Sequence, residues 1–384
     1  MKVYFDNAAT TKVDSLVLKE MNKFHSLDYG NASSLHSFGL KAKQALTVAR
    51  ESFAKNLNCK PEEIIFTSGG SESDNLAIKG IAFQLKEKGN HIITSEIEHP
   101  AVLETCRFLE VNGFKVSYLK VDSDGLIDLK QLEKEINSKT ILVSVMHANN
   151  EIGVIQPMQE ISNLCSKRNV LFHSDAVQTL GKEVIDLQKL KIDLMSFSSH
   201  KIHGPKGVGA LFVREGVNLQ PLIHGGGHER GLRAGTENIP GIIGFAKALD
   251  LASKSLEKNK KKISLLRDYL IKEILKIPNT RLNGHKTKRL SNNVNVSFDF
   301  IEGESLIFLL DDKEIACSTG SACSSKKLEP SHVLLALGLK HEQAHGSLRV
   351  SLSMFSTKAE AEYFLKTLPP IIKKLRSISP LTER

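Results

Sequence analysis

The sequence predicts an α/β fold, in which a mostly parallel sheet is covered by helices and is joined to a smaller α+β domain. Two observations support this prediction. Short runs of apolar and β-branched residues alternate with stretches of helical pattern, as they do in βαβ units, and the pattern changes to mixed strands and helices after Pro278. The strands of the sheet are predicted at residues 64–67, 91–94, 114–119, 140–146, 170–173, 194–197 and 208–213.

Helical patterns separate several of these strands, and two further helical patterns follow the last of them. The first follows a Gly-Gly turn and runs to Leu85, and the next covers residues 101–111. A long helical pattern begins at Ile239, and an amphipathic helix is predicted at residues 357–375. We therefore expect a large domain of residues 15–255 and a small domain that combines residues 1–14 with residues 256–384.

The chain carries a modest positive charge, which does not by itself indicate a nucleic-acid-binding protein. It has 52 Lys and Arg residues against 43 Asp and Glu residues in 384, a formal net charge of +9. The lysines of residues 254–262 are interleaved with Glu257 and followed by the apolar Ile263, which is typical of a solvated helix face. The charge suits an anionic ligand or an acidic partner, and no direct nucleic-acid partner is expected.

The composition also excludes several classes of protein. Charged residues make up 25% of the chain and hydrophobic residues 41%, which is typical of a globular protein and not of a disordered or fibrous one. No apolar run approaches the roughly 18 residues of a transmembrane helix, and the N-terminus lacks the apolar core of a signal peptide, so no membrane association is expected. The 5 cysteines are widely scattered, which indicates a reducing compartment, expected to be the cytoplasm.

Polar clusters follow the predicted strands, which is where ligands bind in parallel α/β sheets. In one of them, Ser198, His200 and Lys201 follow the strand at 194–197. Hydroxyl and imidazole donors can hold a phosphate, and a lysine that is desolvated near other cations becomes a nucleophilic amine suited to Schiff-base chemistry. A surface-loop lysine is the alternative. The spacing does not fit a P-loop ATPase, and His200 with His203 lacks the further ligands of a metal site.

A second cluster opens the helix that follows the strand at 64–67. Gly70 and Ser71 lie there, and backbone N–H groups at the positive end of a helix dipole can bind a phosphate. The alternative is an ordinary cap of this helix by Ser68 or Ser71.

Further polar residues follow three other strands. Asp175 can pair with a protonated pyridine nitrogen and make such a ring an electron sink, and Gln178 could reach the substituents of the ring. His99 could stack on a flat cofactor, and Asn150 could hold a carboxylate or phenolate oxygen. Each has a plainer alternative, namely a solvated Asp, a structural His or an Asn-Asn turn. Because five clusters each follow a strand, together they indicate one site.

Cys323 is the candidate nucleophile among the cysteines. It stands in a small, polar segment in which Lys326 and Lys327 could lower the pKa of its thiol. Cys317 ends an apolar, strand-like run, which favours packing but leaves a role as a resolving or metal partner open. Zinc is not indicated, because the sequence has no C-x-x-C pair. A structural role is expected for Cys59, Cys106 and Cys165.

The motifs together resemble the cysteine desulfurases of the iron–sulfur-assembly type, which are pyridoxal-phosphate enzymes of the class-V aminotransferase group. The resemblance extends from Tyr4 to Ser351, nearly the whole chain. Its most specific pieces are Ser-Ser-His-Lys at 198–201, Gly-Gly-Gly-His-Glu-Arg-Gly-Leu-Arg-Ala-Gly-Thr at 225–236, and Ser-Thr-Gly-Ser-Ala-Cys at 318–323 followed by Leu-Glu-Pro-Ser-His at 328–332.

This resemblance implies a fold, a cofactor and an activity. The large domain would be aspartate-aminotransferase-like, the cofactor would be pyridoxal 5'-phosphate, and the enzyme would be a homodimer. It would convert L-cysteine to L-alanine and pass the sulfur, as a persulfide on Cys323, to an acceptor protein such as an iron–sulfur scaffold.

The resemblance also implies a role for individual residues. Lys201 would bind the cofactor as a Schiff base and take the proton from the substrate α-carbon, and Cys323 would attack the substrate sulfur. Asp175 would pair with the pyridine nitrogen, His99 would stack on the ring, and Gln178 would contact the phenolate oxygen.

Other residues would hold the anionic groups of cofactor and substrate. Asn150 and Arg349 would receive the substrate carboxylate, to which Arg offers a bidentate fork. Thr236 would reach the cofactor phosphate from the neighbouring subunit. The contacts to this phosphate within one chain would be made by Gly70, Ser71, Ser198 and His200. Two positions depart from many relatives: Ser71 replaces a Thr but keeps the hydroxyl, and Cys317 replaces a smaller residue.

Several alternatives stay open. A selenocysteine lyase or another class-V aminotransferase would share most of these motifs, and a non-catalytic iron–sulfur assembly scaffold is a hypothesis from a different class. The sequence does not identify the sulfur acceptor. An exposed thiolate at Cys323 would also allow this residue to ligate an iron–sulfur cluster shared transiently with a partner.

Overall fold

A computed structural model describes residues 1–319 and 330–380 of the chain, and it has the predicted α/β architecture. The strands in these residues are β1 (Val3–Tyr4), β2 (Ile64–Thr67), β3 (His91–Ser95), β4 (Lys115–Leu119), β5 (Thr140–Ser144), β6 (Leu171–Asp175), β7 (Leu194–Ser198), β8 (Gly209–Val213), β9 (Thr280–Leu282), β10 (Asn293–Phe298), β11 (Ile315–Ala316) and β12 (Ser347–Ser351). The helices are α1 (Ser15–Ser26), α2 (Ser37–Leu57), α3 (Gly70–Gln84), α4 (Pro100–Val111), α5 (Leu129–Glu135), α6 (Met158–Arg168), α7 (Ile239–Lys254), α8 (Leu256–Ile274), α9 (Gly303–Asp311), α10 (His332–Ala336), α11 (His341–His345) and α12 (Lys358–Ile378).

The central sheet confirms the predicted fold class. Within the described residues it has 7 strands in the order β2-β8-β7-β6-β5-β3-β4. Strand β8 runs antiparallel to β2 and β7, and the other neighbouring pairs are parallel. Strands β2, β3, β5, β7 and β8 are buried along their whole length. This explains why their sequences are mainly apolar and lack a regular alternation with charged residues.

The long helical pattern that begins at Ile239 is two helices and not one. Helix α7 ends at Lys254 and α8 begins at Leu256, because Ser255 between them has φ −113° and ψ 8°. In the lysine-rich stretch, Lys258 and Lys261 are exposed and the following Ile263 is buried, which confirms the predicted solvated face. Among the helices of the described residues, none combines the length and the apolar character needed to cross a membrane.

Two hydrophobic clusters form the main cores. The larger packs the central sheet against α1, α2 and α7, with Phe53, Phe197 and Phe245 in its interior. The other joins Phe5 of the N-terminal segment to Phe364 of α12 and to residues of α8, α9, β10 and β12. This distribution favours the proposed division into residues 15–255 and residues 1–14 with 256–384.

The second cluster lies beside a small antiparallel sheet with the strand order β12-β10-β9. In its register Arg349 on β12 lies opposite Asn295 on β10. The N-terminal segment runs along β12, since Asn7 Nδ2 donates to Ser351 O at 2.8 Å. It then reaches the central sheet, where Thr11 Oγ1 donates to His200 O at 2.8 Å. The segment therefore crosses the junction between the two cores.

Candidate active site

The carboxyl ends of the central strands bring predicted polar residues to one edge of the sheet. His99 follows β3, Asn150 follows β5, Asp175 ends β6, and Lys201 lies in a short 3₁₀ turn after β7. Strands β3, β5, β6 and β7 are parallel neighbours. Their carboxyl ends therefore open on the same crevice, which is the expected place for a ligand.

Lys201 lies where this edge meets the N-terminal segment. Its Nζ donates to Ala8 O at 2.5 Å and to Ala9 O at 2.8 Å. The side chain is half-buried, so its amine is partly withdrawn from bulk water. Such a position suits an amine that condenses with a carbonyl compound.

Asp175 supplies a buried carboxyl group next to this lysine. Its Oδ1 accepts a hydrogen bond from Val177 N at 2.8 Å. Burial raises the pKa of Asp175 to about 6, against the lowering effects of the Val177 N–H group and of the positive charge on Lys201. A cation placed against this carboxylate would lower its pKa further, and a protonated pyridine nitrogen is such a cation.

Two further buried carboxyl groups, which the sequence analysis missed, lie near Asp175 and respond to its charge. Burial raises the pKa of Glu98 to about 8, although Ser95 Oγ and Met146 N both donate hydrogen bonds to it. Burial and the charge of Asp175 raise the pKa of Asp74 well above its ordinary range. Burial therefore favours the neutral form of Glu98 near neutral pH, and burial with the charge of Asp175 favours the neutral form of Asp74.

The start of α3 forms a cradle for an anion. The residue that caps the helix is Gly69, and within the described chain no side chain makes a cap hydrogen bond. The alternative that Ser68 or Ser71 caps this helix is therefore wrong, and the first-turn N–H groups can bind a ligand. A Cβ atom on Gly70 would lie 2.7 Å from Val177 Cγ2, so this position requires glycine. The crevice beside the helix start is lined by Gly70, Ser71, Ser198 and His200 among others.

His200 lines this cradle as a neutral ring. Burial, followed by the positive charge of Lys201, lowers the pKa of His200 to about 4. Its Nδ1 lies 3.1 Å from Thr10 Oγ1. A neutral imidazole has one N–H group and one acceptor nitrogen, so His200 can hydrogen-bond both to Thr10 and to an anion in the crevice.

His99 and Gln178 lie close to Lys201. Burial and then the charge of Lys201 lower the pKa of His99 to about 4, and its Nδ1 accepts from Ala101 N at 3.1 Å at the start of α4. Gln178 Nε2 donates to Ala8 O at 3.0 Å, the same oxygen that accepts from Lys201. Stacking by His99 and a phenolate contact by Gln178 stay predictions.

Arg349 reaches the same crevice from the small sheet. Its Nη2 lies 3.0 Å from Asp6 Oδ1, and its Nη1 donates to Asn150 O at 3.0 Å. Its Nε is buried and has no hydrogen-bond partner among the described residues. An unsatisfied buried donor is costly, and a substrate carboxylate would satisfy it. Asn150 contacts this arginine through its backbone oxygen.

Sequence analysis missed Asp6, the ionic partner of Arg349. The two residues are separated by 343 positions in the chain. Asp6 lies near the start of the chain, and nothing local indicates that its carboxylate is paired. The signal that could have identified it is the need of a buried arginine for a carboxylate partner.

Cys323 lies outside the described residues. The chain on both sides of the segment 320–329 contacts the crevice. On one side Arg349 N donates to Ser318 O at 2.7 Å, and on the other Ser331 Oγ donates to Glu151 Oε2 at 2.5 Å. Ser318 therefore lies beside Arg349, and Ser331 lies beside Glu151, which follows Asn150.

The other cysteines have the structural character predicted for them. Cys317 is buried in the cluster that contains Phe5 and Phe364, and burial raises the pKa of its thiol. This burial favours the packing role over a reactive one. Burial also raises the thiol pKa to about 12 in Cys59, Cys106 and Cys165.

Thr236 is not brought to the site within one chain. It lies in an exposed loop before α7, and it is not among the described residues that line the cradle. Its predicted contact requires a second subunit and stays a prediction. Across residues 1–319 and 330–380, no group of three or more His, Cys, Asp and Glu side chains is placed to hold a metal ion.

The crevice fits pyridoxal 5'-phosphate group by group. Asp175 is a buried acid suited to the pyridine nitrogen, Lys201 offers an amine for the aldehyde, and the start of α3 offers N–H groups for the phosphate. The buried Nε of Arg349 offers a donor to the carboxylate of an amino acid.

Replacing His147, which lies behind the crevice after β5, should reduce the acid sensitivity of the fold. Burial lowers the pKa of His147 to about 4, and its Nδ1 lies 3.0 Å from Thr179 Oγ1. The unfolded chain binds this proton with a pKa of about 6.5. The stability that the fold gains from holding His147 neutral is therefore fully present above that pH and is lost as the pH falls towards 4.

Between about pH 7 and pH 5 the free energy of unfolding of the wild type should decrease because His147 must stay unprotonated in the fold. In His147→Gln this decrease should be smaller by about 2 kcal/mol. Urea titrations at the two pH values measure this difference. The exposed His341 provides the control, since His341→Gln should behave like the wild type. An equal loss in His147→Gln and the wild type would contradict the prediction.

Comparisons with known proteins agree with this geometry. The chain matches the Aminotransferase class-V family over residues 3–364. The cysteine desulfurase IscS of Methanosarcina thermophila is 52% identical over 382 residues, which cover 100% of this chain and 95% of that protein. The cysteine desulfurase IscS of Clostridium botulinum (strain Hall) is 54% identical over 385 residues, which cover 100% of this chain and 97% of that protein.

Solved structures show the same similarity. A NifS-like protein superposes with a TM-score of 0.93 at 44% identity, covering 98% of this chain and 100% of that one. A structure of SspA in complex with cysteine superposes with a TM-score of 0.82 at 39% identity, covering 93% of this chain and 100% of that one. The predicted family, fold and cofactor are thereby confirmed. The chain belongs to the class-V aminotransferase family and, within it, to the pyridoxal-phosphate-dependent cysteine desulfurases.

Proposed function

We propose that this chain removes the sulfur atom of L-cysteine, releases L-alanine and holds the sulfur as a persulfide on Cys323. The observation that carries the proposal is the convergence of Lys201, Asp175 and Arg349 on one crevice, although they come from β7, β6 and the small sheet. An amine, a buried acid and a guanidinium with an unsatisfied donor are the groups that an α-amino acid and this cofactor require together.

Lys201 and Asp175 act on protons in this proposal. Pyridoxal 5'-phosphate, when bound, supplies a ring that accepts the electron pair left at the substrate α-carbon. Asp175 holds a proton on the pyridine nitrogen by its negative charge, and Lys201 joins the cofactor through Nζ and then takes the α-proton of the substrate. Both roles need partial exclusion of water, which the burial of Asp175 provides.

Other residues orient the bound groups. The start of α3, with Gly70 and Ser71, holds the phosphate together with Ser198 and His200. His99 stacks on the ring and Gln178 contacts the phenolate oxygen. The substrate carboxylate is received by Arg349 with the help of Asn150.

Cys323 receives the sulfur. Its thiolate attacks the sulfur of the bound substrate, so that an S–S bond forms and the carbon–sulfur bond breaks. The electron pair stays with the carbon, which takes a proton and leaves as alanine. The positions of Ser318 and Ser331 support this role, because these two described residues contact Arg349 and Glu151, the neighbour of Asn150.

A homodimer and a sulfur acceptor complete the proposal. Thr236 lies in an exposed loop and would contact the phosphate of the neighbouring subunit. Exposed apolar side chains around α1 and α2 favour a surface that a second copy covers, among them Leu16, Leu35, Phe38 and Leu40. We propose an iron–sulfur scaffold as the acceptor and the reducing cytoplasm as the compartment, because a persulfide carrier must cycle with thiols. Transient ligation of a shared cluster by Cys323 belongs to the same proposal.

The activity is tested with L-cysteine and a reductant that releases persulfide sulfur. The wild type should produce equal amounts of alanine and sulfide over many turnovers. Cys323→Ala should keep the visible absorbance of the bound cofactor but should lose at least about a hundredfold in rate, as expected when a nucleophile is removed. Cys59→Ala is the matched control and should keep full activity, because Cys59 lies outside the crevice.

The alternatives give different results. A non-catalytic scaffold would be colourless and would release no alanine. A selenocysteine lyase would release alanine from selenocysteine at a much higher rate than from cysteine. Full cysteine-dependent sulfur transfer by Cys323→Ala would show that the proposed nucleophile is wrong.

A further inference from the structure

Lys182 is a second lysine at the site, and the roles proposed above do not use it. It follows Gln178 by four residues, in the turn after β6. Lys182 and Lys201 line the same mainly apolar cavity, which Leu251 and Leu352 also line. Two ammonium groups at one apolar cavity repel each other more strongly than they would in water.

Neutral acceptors fix the position of the Lys182 ammonium. Its Nζ donates to the backbone oxygen of Gln178 at 3.0 Å and to Gln178 Oε1 at 3.3 Å. The amide nitrogen of the same side chain donates to Ala8 O, which also accepts from Lys201. Neither acceptor of Lys182 carries a charge, so these contacts orient the ammonium and leave its positive charge in place.

The other charged groups around the cavity do not cancel this charge. Asp14 is engaged at the start of α1, where its Oδ1 accepts from Leu16 N at 2.8 Å. Glu183 lies 2.5 Å from Lys260 and is paired with it. The titratable groups that face the cavity or lie next to it are Asp14, Asp175, Glu183, His99, His200, His203, Lys201 and Lys260.

The titration of Lys182 agrees with this geometry. Burial, and then the positive charge of Lys201, lowers the pKa of Lys182 to about 7. The effect is mutual, since two interacting groups titrate as a pair. With pyridoxal 5'-phosphate bound, the nitrogen of Lys201 would be joined to the cofactor, and a positive charge on Lys182 would disfavour a proton on that nitrogen.

We propose that Lys182 is a positioning residue for the reaction, whose ammonium, held by Gln178, places a positive charge near the nitrogen of Lys201 and favours the unprotonated form of that nitrogen. The inference rests on the proposed role of Lys201. It matters for the chemistry because a base can take the substrate α-proton only after it has lost its own proton.

The test is a pH titration of the visible absorbance of the holoenzyme, which reports whether the nitrogen of Lys201 carries a proton. In Lys182→Met the midpoint should rise by about one pH unit, the scale expected when a nearby charge is removed. Lys182→Gln keeps a donor for Gln178 but has no charge and should show the same rise. Lys182→Arg should keep the wild-type midpoint.

Lys260→Met is the matched control, because Lys260 lines the same cavity but is paired with Glu183. Its midpoint should equal that of the wild type. An unchanged midpoint in Lys182→Met or Lys182→Gln, with the cofactor bound, would overturn the inference and leave the proposed function intact. Visible absorbance that persists in Lys201→Ala would instead overturn the proposed role of Lys201.

Discussion

Asp175→Asn should lower kcat/KM for L-cysteine by about a hundredfold or more, on the scale of losing one preorganised electrostatic partner. Asn has nearly the shape of Asp, so the hydrogen bond from Val177 N can be kept. What is lost is the negative charge that holds a proton on the pyridine nitrogen. Without that proton the ring accepts electrons poorly, and the loss should appear mainly in kcat.

Asp74→Asn provides a demanding control for this prediction. Asp74 is buried near Asp175, and burial together with the charge of Asp175 raises the pKa of Asp74 and favours its neutral form. An amide in place of a neutral acid changes no charge, so kcat/KM should stay within about threefold of the wild type. Steady-state kinetics of both variants, together with their visible spectra, test the assignment. Equal losses in both variants would mean that the effect is structural and not electrostatic.

Arg349→Lys should raise KM for L-cysteine by about ten- to a hundredfold, the range expected for losing a hydrogen bond between charged groups. A lysine keeps a positive charge near Asp6 and preserves the fold, but it cannot offer the planar fork that a carboxylate accepts. The geometry supports this effect, since Asp6 and Asn150 hold the guanidinium while its Nε is left without a partner in the described chain.

Cofactor binding separates this effect from general damage. The visible absorbance of Arg349→Lys should match that of the wild type, because Arg349 acts on the substrate. Arg281→Lys, on the outer strand of the same small sheet, should leave KM unchanged. A normal KM in Arg349→Lys, or a loss of bound cofactor, would show that Arg349 does not receive the substrate carboxylate.

The sequence was sufficient to predict the central sheet because its strands are buried on both faces. Continuous apolar runs such as β2 and β5 are distinct from the helical periodicity around them. The polar residues directly after such runs, including Lys201, could then be assigned to one edge. Resemblance to a known family supplied their individual roles.

Contacts between distant parts of the chain could not be predicted in this way. The pairing of Asp6 with Arg349 depends on the N-terminal segment lying along β12, and no local pattern specifies that arrangement. The same holds for the buried Asp74 and the half-buried Lys182, whose positions follow from packing around α3 and the turn after β6. A serine cap was the alternative at α3 because serine is common at such positions, but Gly69 takes that position.

The most direct test of the proposed function is to locate the sulfur after a single turnover. Purified holoenzyme is incubated with L-cysteine without a reductant, and the digested protein is examined by mass spectrometry while alanine is quantified. We predict one added sulfur atom on Cys323, in an amount equal to the alanine released. Alanine release with no added sulfur on Cys323, or with the sulfur on another cysteine, would contradict the proposal that Cys323 is the persulfide carrier.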